Sequence, residues 1–215
     1  MIEKTFMSNP EKDNIRSWVK IGIAAGIVAC CVYPVMILVA FPRIPQLILG
    51  GSFGPALAIA SIALTYILLA RRNTPTIKLA AIFNSLAGAL VTAMIIVQLA
   101  IKYSTAPSGD EQLNSLLKQR IWDVVLGLDV AFDIFIGLGT LFFAINLIRD
   151  SRFGRIIGWA GIFVAIVPLL GANIYYFPDP PYVHGFPHVG IFTGLWYLSV
   201  VILLIRSVIK GTIDS

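Results

Sequence analysis

Apolar residues in this chain come in long runs separated by short polar clusters, rather than alternating or tracing one stripe of a surface helix. Six stretches, 19–41, 47–70, 79–101, 121–148, 156–176 and 188–209, are each predominantly apolar, close to the roughly 20 residues a helix needs to cross about 30 Å of hydrocarbon. None has the alternating ten-residue pattern of a lipid-facing barrel strand. In a bilayer only a helix then satisfies the backbone of each run. The pattern predicts an all-α polytopic transmembrane bundle of six spans, with a polar N-terminal segment 1–18, a membrane domain 19–209 and a tail 210–215.

Composition sharpens this reading. Of 215 residues, 58% are hydrophobic and only 13% charged, against roughly 25% charged in an ordinary soluble domain. The net charge of +5 raises the question of nucleic acid, but the basic residues flank apolar runs and form no aromatic-interleaved platform, which excludes that partner. Their distribution is lopsided. Lys4, Lys12, Arg16, Lys20, Arg71, Arg72, Lys78, Arg149, Arg152, Arg155, Arg206 and Lys210 fall on one side, and only Arg43, Lys102, Lys118 and Arg120 on the other. Because positive charge is retained in the cytoplasm during insertion, both termini are expected inside, with 42–46, 102–120 and 177–187 as external loops. Trp18 and Trp159 at the inner boundary, and Tyr103, Trp122, Tyr175, Tyr176 and Tyr182 at the outer one, agree with an aromatic belt. The first run is too long for a signal-peptide core and is expected to remain as a membrane helix.

Local signals refine the ends of the helices. Ser108 to Glu111 has capping-box spacing, so the fourth helix is expected to begin outside the bilayer and to place Leu113, Leu116 and Leu117 on an external surface or at the interface. Four prolines in 177–187 forbid a regular helix there, and Pro187 suits the first turn of the sixth span. Gly22 with Gly26, and Gly154 with Gly158, have the spacing that lets helices approach closely. Cys30 and Cys31 are adjacent within the first span, where a disulfide between them is strained.

The most informative chemistry lies in the fourth span, Trp122 to Gly137, which carries Asp123, Asp129 and Asp133. Counted on 121–148, Asp133 is close to mid-membrane and Asp129 one turn outward on the same face. A carboxylate at that depth costs roughly 2.5–3.5 kcal/mol and calls for protonation, polar partners, water or a bound cation. No span carries a central Lys or Arg to pair with it. By depth, Thr92 and Gln98 are the expected neighbours of Asp133 and Asp129, whereas Asn84 and Asn146 belong toward the cytoplasm. Pro34 interrupts the first helix and frees the carbonyl of Cys30, which makes Tyr33 beside it a second candidate lining residue. Trp196 and Tyr197 lie deeper than an interfacial belt requires, so Trp196 is a further candidate for a cavity wall, with core packing the alternative. His184, His188 and Asp179 have the chemistry of an external metal site, although Gly185 and Pro187 break any helical chelate between the two histidines. No nucleophile elbow, phosphate loop or zinc-protease motif is present.

Gly127 through Gly139, Arg152-Phe-Gly-Arg155, Gly158-Trp-Ala-Gly161, Tyr176-Phe-Pro178 and Gly194-Leu-Trp-Tyr197 give the C-terminal half a resemblance to bacterial six-span membrane proteins known only as a domain of unknown function. The resemblance implies six helices, a bacterial inner membrane, and attention to Asp129, Asp133 and Trp196. It implies no activity or cofactor. The leading expectation is a small transporter, or a sensor of a small molecule, proton or cation, built on the carboxylates. The alternatives are a non-catalytic membrane subunit or scaffold, as a homo-oligomer or with a membrane partner, and an intramembrane enzyme acting on lipid.

Overall fold

The computed structural model describes residues 9–103 and 111–210. Ser108 and Asp110 of the expected capping box, residues 1–8 of segment 1–18 and the tail beyond 210 lie outside the described residues. Six helices are long and apolar enough to cross a membrane, and no strand occurs among the described residues. Helix α1 is Asn9–Leu38, α2 Arg43–Leu69, α3 Pro75–Tyr103 and α4 Glu111–Leu147. The fifth span is composite: α5 (Arg155–Val164), a π-helical turn (Ala165–Gly171) and α6 (Ala172–Tyr176). A 3-10 turn, Pro181–His184, leads to α7 (Val189–Ile209).

The sequence accounts for these boundaries. Pro75 opens α3 at its first position, where a missing N–H costs nothing. Helix α1 begins ten residues earlier than the apolar run 19–41 predicts, because Asn9 to Lys20 is helix-compatible even though it is polar. Helix α4 extends 37 residues, about 55 Å at 1.5 Å per residue, so its first turns reach beyond a 30 Å hydrocarbon layer. Leu113, Leu116 and Leu117 are about half exposed there. Pro168 cannot donate to the carbonyl of Val164, and the chain absorbs the lost bond by widening into the π-helical turn. A Cβ on Gly171 would lie 2.8 Å from the carbonyl oxygen of Ile166, so only glycine fits at that point.

Neighbouring spans pack in chain order, and α7 closes the ring by packing on both α5 and α1. The α2–α3 contact is close enough that a Cβ on Gly54 would collide with the Gly88 carbonyl and the Thr92 hydroxyl. A dense apolar core built on Val19, Leu64, Ile67, Phe143, Leu147 and Trp196 fills the end of the bundle that holds the α2–α3 and α4–α5 connections. Large apolar side chains such as Ile156, Trp159, Ile174 and Leu195 are exposed all around the outside, an arrangement that water does not tolerate and lipid does. The protein is an integral membrane protein.

Candidate functional site

Asp129 and Asp133 both turn into the bundle, 8% and 3% exposed. The two acids differ in their distance from the Leu147 end of α4: Asp133 lies about 21 Å from it along the axis and Asp129 about 27 Å.

The partners differ as well. Asp133 accepts a hydrogen bond from the side-chain amide of Asn173 at 3.1 Å, while the same Asn173 nitrogen also donates to the carbonyl of Leu169 at 2.7 Å. The widened turn before α6 sets Asn173 on the face of the fifth span that meets α4. Thr92 serves neither acid: its hydroxyl donates to the Gly88 carbonyl at 2.8 Å in the α2–α3 contact. Gln98 is half-buried, and no hydrogen bond joins it to either carboxylate among the described residues. Asn146 ties the Leu147 end of α4 to Thr74 and Thr76. Asn84 accepts a 2.8 Å hydrogen bond from the Tyr197 hydroxyl, whose oxygen in turn accepts from Thr140 at 3.4 Å. This triad links α3, α4 and α7.

Over Asp129 lies the loop that follows the fifth span. The 3-10 turn brings the Tyr182 hydroxyl to the Asp129 carboxylate, and the Tyr182 ring stacks on His188 with centroids 5.0 Å apart. Burial and the neighbouring Asp129 charge raise the Tyr182 phenol above its ordinary value, so it stays a neutral hydrogen-bond donor. Burial lowers the His188 imidazole below its usual value and keeps it neutral too. Its Nδ1 accepts from the Gly190 N–H at 3.3 Å, so Nε2 carries the proton and donates to the Tyr33 oxygen at 3.2 Å. That tautomer leaves the Tyr33 hydroxyl proton for a different acceptor.

The expected metal site does not assemble. His184 pairs with Asp179 at 3.5 Å and stacks on Tyr176, whereas His188 faces Tyr33 and Tyr182. No group of three metal-ligating side chains occurs among the described residues. Trp196 is likewise no wall of a site. Its indole N–H donates to the Ile157 carbonyl at 2.9 Å, and its ring fills the space that Gly161 leaves open beside Ala144. Ala144 is 11 residues from Asp133 on α4, about 16 Å away along the axis.

Beneath the Tyr182 loop a cavity of about 460 Å³ runs between α1, α2, α3, α4 and α7. Asp129, Tyr33 and His188 line one end of it, and Leu57, Leu64, Val200 and Leu204 the part farther from the Tyr182 loop. Along α1 it extends from Leu38 to Gly22, about 24 Å of helix. Leu38, Ile191 and Leu195 line the cavity and are also largely exposed on the outside, so it reaches the lipid-facing surface beside α1 and α7. Among the described residues, Asp129 is the only acid in its lining. Tyr33 lines the cavity with Asp129; Asn173 and Tyr182 are neighbours of the acids that apolar runs and spacing do not reveal.

Fold and site together define a six-span integral membrane protein with a buried acidic pair at one end of an apolar cavity. Comparison with protein-family models, curated proteins and solved structures finds no match.

Proposed function

We propose that this protein binds a single-chain amphiphile within the bundle, with Asp129 receiving a cationic or hydrogen-bond-donating head and the apolar cavity receiving the chain. The observation that carries the reading is the form of the cavity: long, apolar, continuous with the lipid-facing surface, and acidic at one end only. A ligand that lies along α1 and α7 can reach it from the bilayer without passing through water. The neutral Tyr182, His188 and Tyr33 supply hydrogen bonds at the head without adding charge. Asp133, one turn deeper and held by Asn173, supports Asp129 as a coupled second carboxyl. The role is transport or sensing of the amphiphile, in place of a scaffold that would need no such cavity. We further propose that the protein lies in a bacterial inner membrane with both termini cytoplasmic, as the basic residues and the resemblance of the C-terminal half imply.

The test is equilibrium binding of a fluorescent alkylamine and its alkyl alcohol counterpart to the purified protein in nanodiscs. Asp129→Asn is expected to weaken the amine at least tenfold while sparing the alcohol. A Cβ on Gly194 meets nothing within 4 Å, so Gly194→Phe fills the cavity from a position with room, and both probes are expected to be lost. Equal binding of both probes by both variants and by the parent protein rules the reading out.

A further inference from the structure

At the end of the bundle opposite Asp129, three parts of the chain converge that are remote in sequence: the residues after α2, the turn between α4 and α5, and the last turns of α7. They enclose a second pocket of about 440 Å³. Arg71, Arg152, Arg206 and Lys210 line it, with Phe153 and Leu203 supplying apolar surface. Among the described residues, Asp150 pairs with two of these cations: Arg152 holds it by Nη2 at 2.6 Å and Nε at 3.0 Å, and Arg71 approaches it at 3.8 Å.

The cations are not interchangeable. Arg152 is pinned, its side chain 4% exposed, with the guanidinium also donating to the Ile67 carbonyl at 3.1 Å near the end of α2. It forms a fixed wall. Arg206 and Lys210 extend from the last turn of α7 into water and are able to close on a bound group. Burial and the neighbouring Arg152 guanidinium lower Arg71 from the ordinary arginine value, against the opposing pull of Asp150.

We propose that this pocket is a binding site for a phosphate-bearing anion, namely the head group of an anionic membrane lipid from the adjacent leaflet. Guanidinium groups match phosphate oxygens in geometry as well as charge, and basic pockets between membrane helices suit such heads. The pocket volume exceeds what a lone phosphate requires, and Phe153 with Leu203 offers an apolar surface for the glycerol and upper chain. The site stands apart from the outer cavity and does not depend on what that cavity binds.

The test follows the thermal midpoint of the full chain in nanodiscs as phosphatidylglycerol replaces phosphatidylcholine. A second arm adds glycerol phosphate to phosphatidylcholine nanodiscs. The expected result is a saturable rise of roughly 4 °C or more with phosphatidylglycerol. Arg206→Gln/Lys210→Gln abolishes it, and Arg149→Gln/Arg155→Gln, which removes the same charge from residues outside the pocket lining, retains it. A matching rise with glycerol phosphate would support the pocket and assign it a soluble phosphate ester. A rise of equal size in both double variants, or no rise in either arm, overturns the proposal.

Discussion

Asn173 donates a hydrogen bond to Asp133 across the contact between the fifth span and α4. Each lies on a separate helix, 40 residues apart in sequence, and both side chains are almost completely removed from solvent. Asn173→Leu withdraws the donor and leaves the carboxyl group in apolar surroundings, at an expected cost of about 1–3 kcal/mol. Asp133→Leu combined with Asn173→Leu should recover part of that loss, since neither polar group is then left without the other. Thermal unfolding of the two single variants and the double variant in one detergent measures the coupling. Strictly additive losses would show that the pair does not act as a unit.

Asp150 gives a pH signature at the opposite end. Burial acts to raise its carboxyl, but hydrogen bonds and charge from Arg152, with a further contribution from Arg71, outweigh burial and hold it below the ordinary value. A folded value below the unfolded one means that the contribution to stability is fully present above the unfolded carboxylate range, near about 3.9. It is lost as pH falls through the lower folded value. The difference in thermal midpoint between the parent protein and Asp150→Asn should therefore be constant from neutral pH down to about pH 4 and narrow below it. A difference that widens on acidification contradicts the sign.

Close packing makes a third expectation. Gly54→Ala places a methyl group against the Gly88 backbone, which cannot move without separating α2 from α3. A loss of about 1–3 kcal/mol follows. Gly194→Ala, in open space, should leave the stability within about 0.5 kcal/mol of the parent. Similar behaviour of the two alanine variants would refute the contact.

Trp196 separates packing from ligand binding. Trp196→Phe removes the donor to Ile157 at a cost of about 1 kcal/mol, yet it should leave alkylamine binding unchanged, because the indole sits a long way below the acidic end of the cavity. Binding measured on the folded fraction decides this, and a tenfold change would return Trp196 to the site.

Orientation is open to direct labelling. In a background of Cys30→Ala and Cys31→Ala, Asp179→Cys should react with an impermeant maleimide on intact cells, and Ser151→Cys only after permeabilisation. The reverse pattern would invert the proposed topology.

The six spans were legible in the sequence because each is an apolar run whose length matches the bilayer, and no tertiary detail alters that requirement. The direction in which Asp129 and Asp133 point was legible too, since two acids four residues apart share a helix face. Their hydrogen-bond partners were not, because position counted along one helix says nothing of how the neighbouring helices are rotated toward it. Asn173 escaped notice for a related reason. Its face depends on the extra residue that the Pro168 turn accommodates, and a uniform helical period assigns it elsewhere. Tyr182 reaches Asp129 through a proline-rich loop with no periodicity to read. Trp196 turned out to be a core residue because Gly161 and Ala144, from two other spans, leave a space of its shape.

The seam where α7 meets α1 joins two spans that are remote in sequence. Without α7, Cys30, Tyr33 and Pro34 have no wall opposite them, and Asn84 and Thr140 lack the phenol that connects them. The cavity is thus a product of tertiary closure, and a variant lacking α7 keeps five of the six spans without enclosing it.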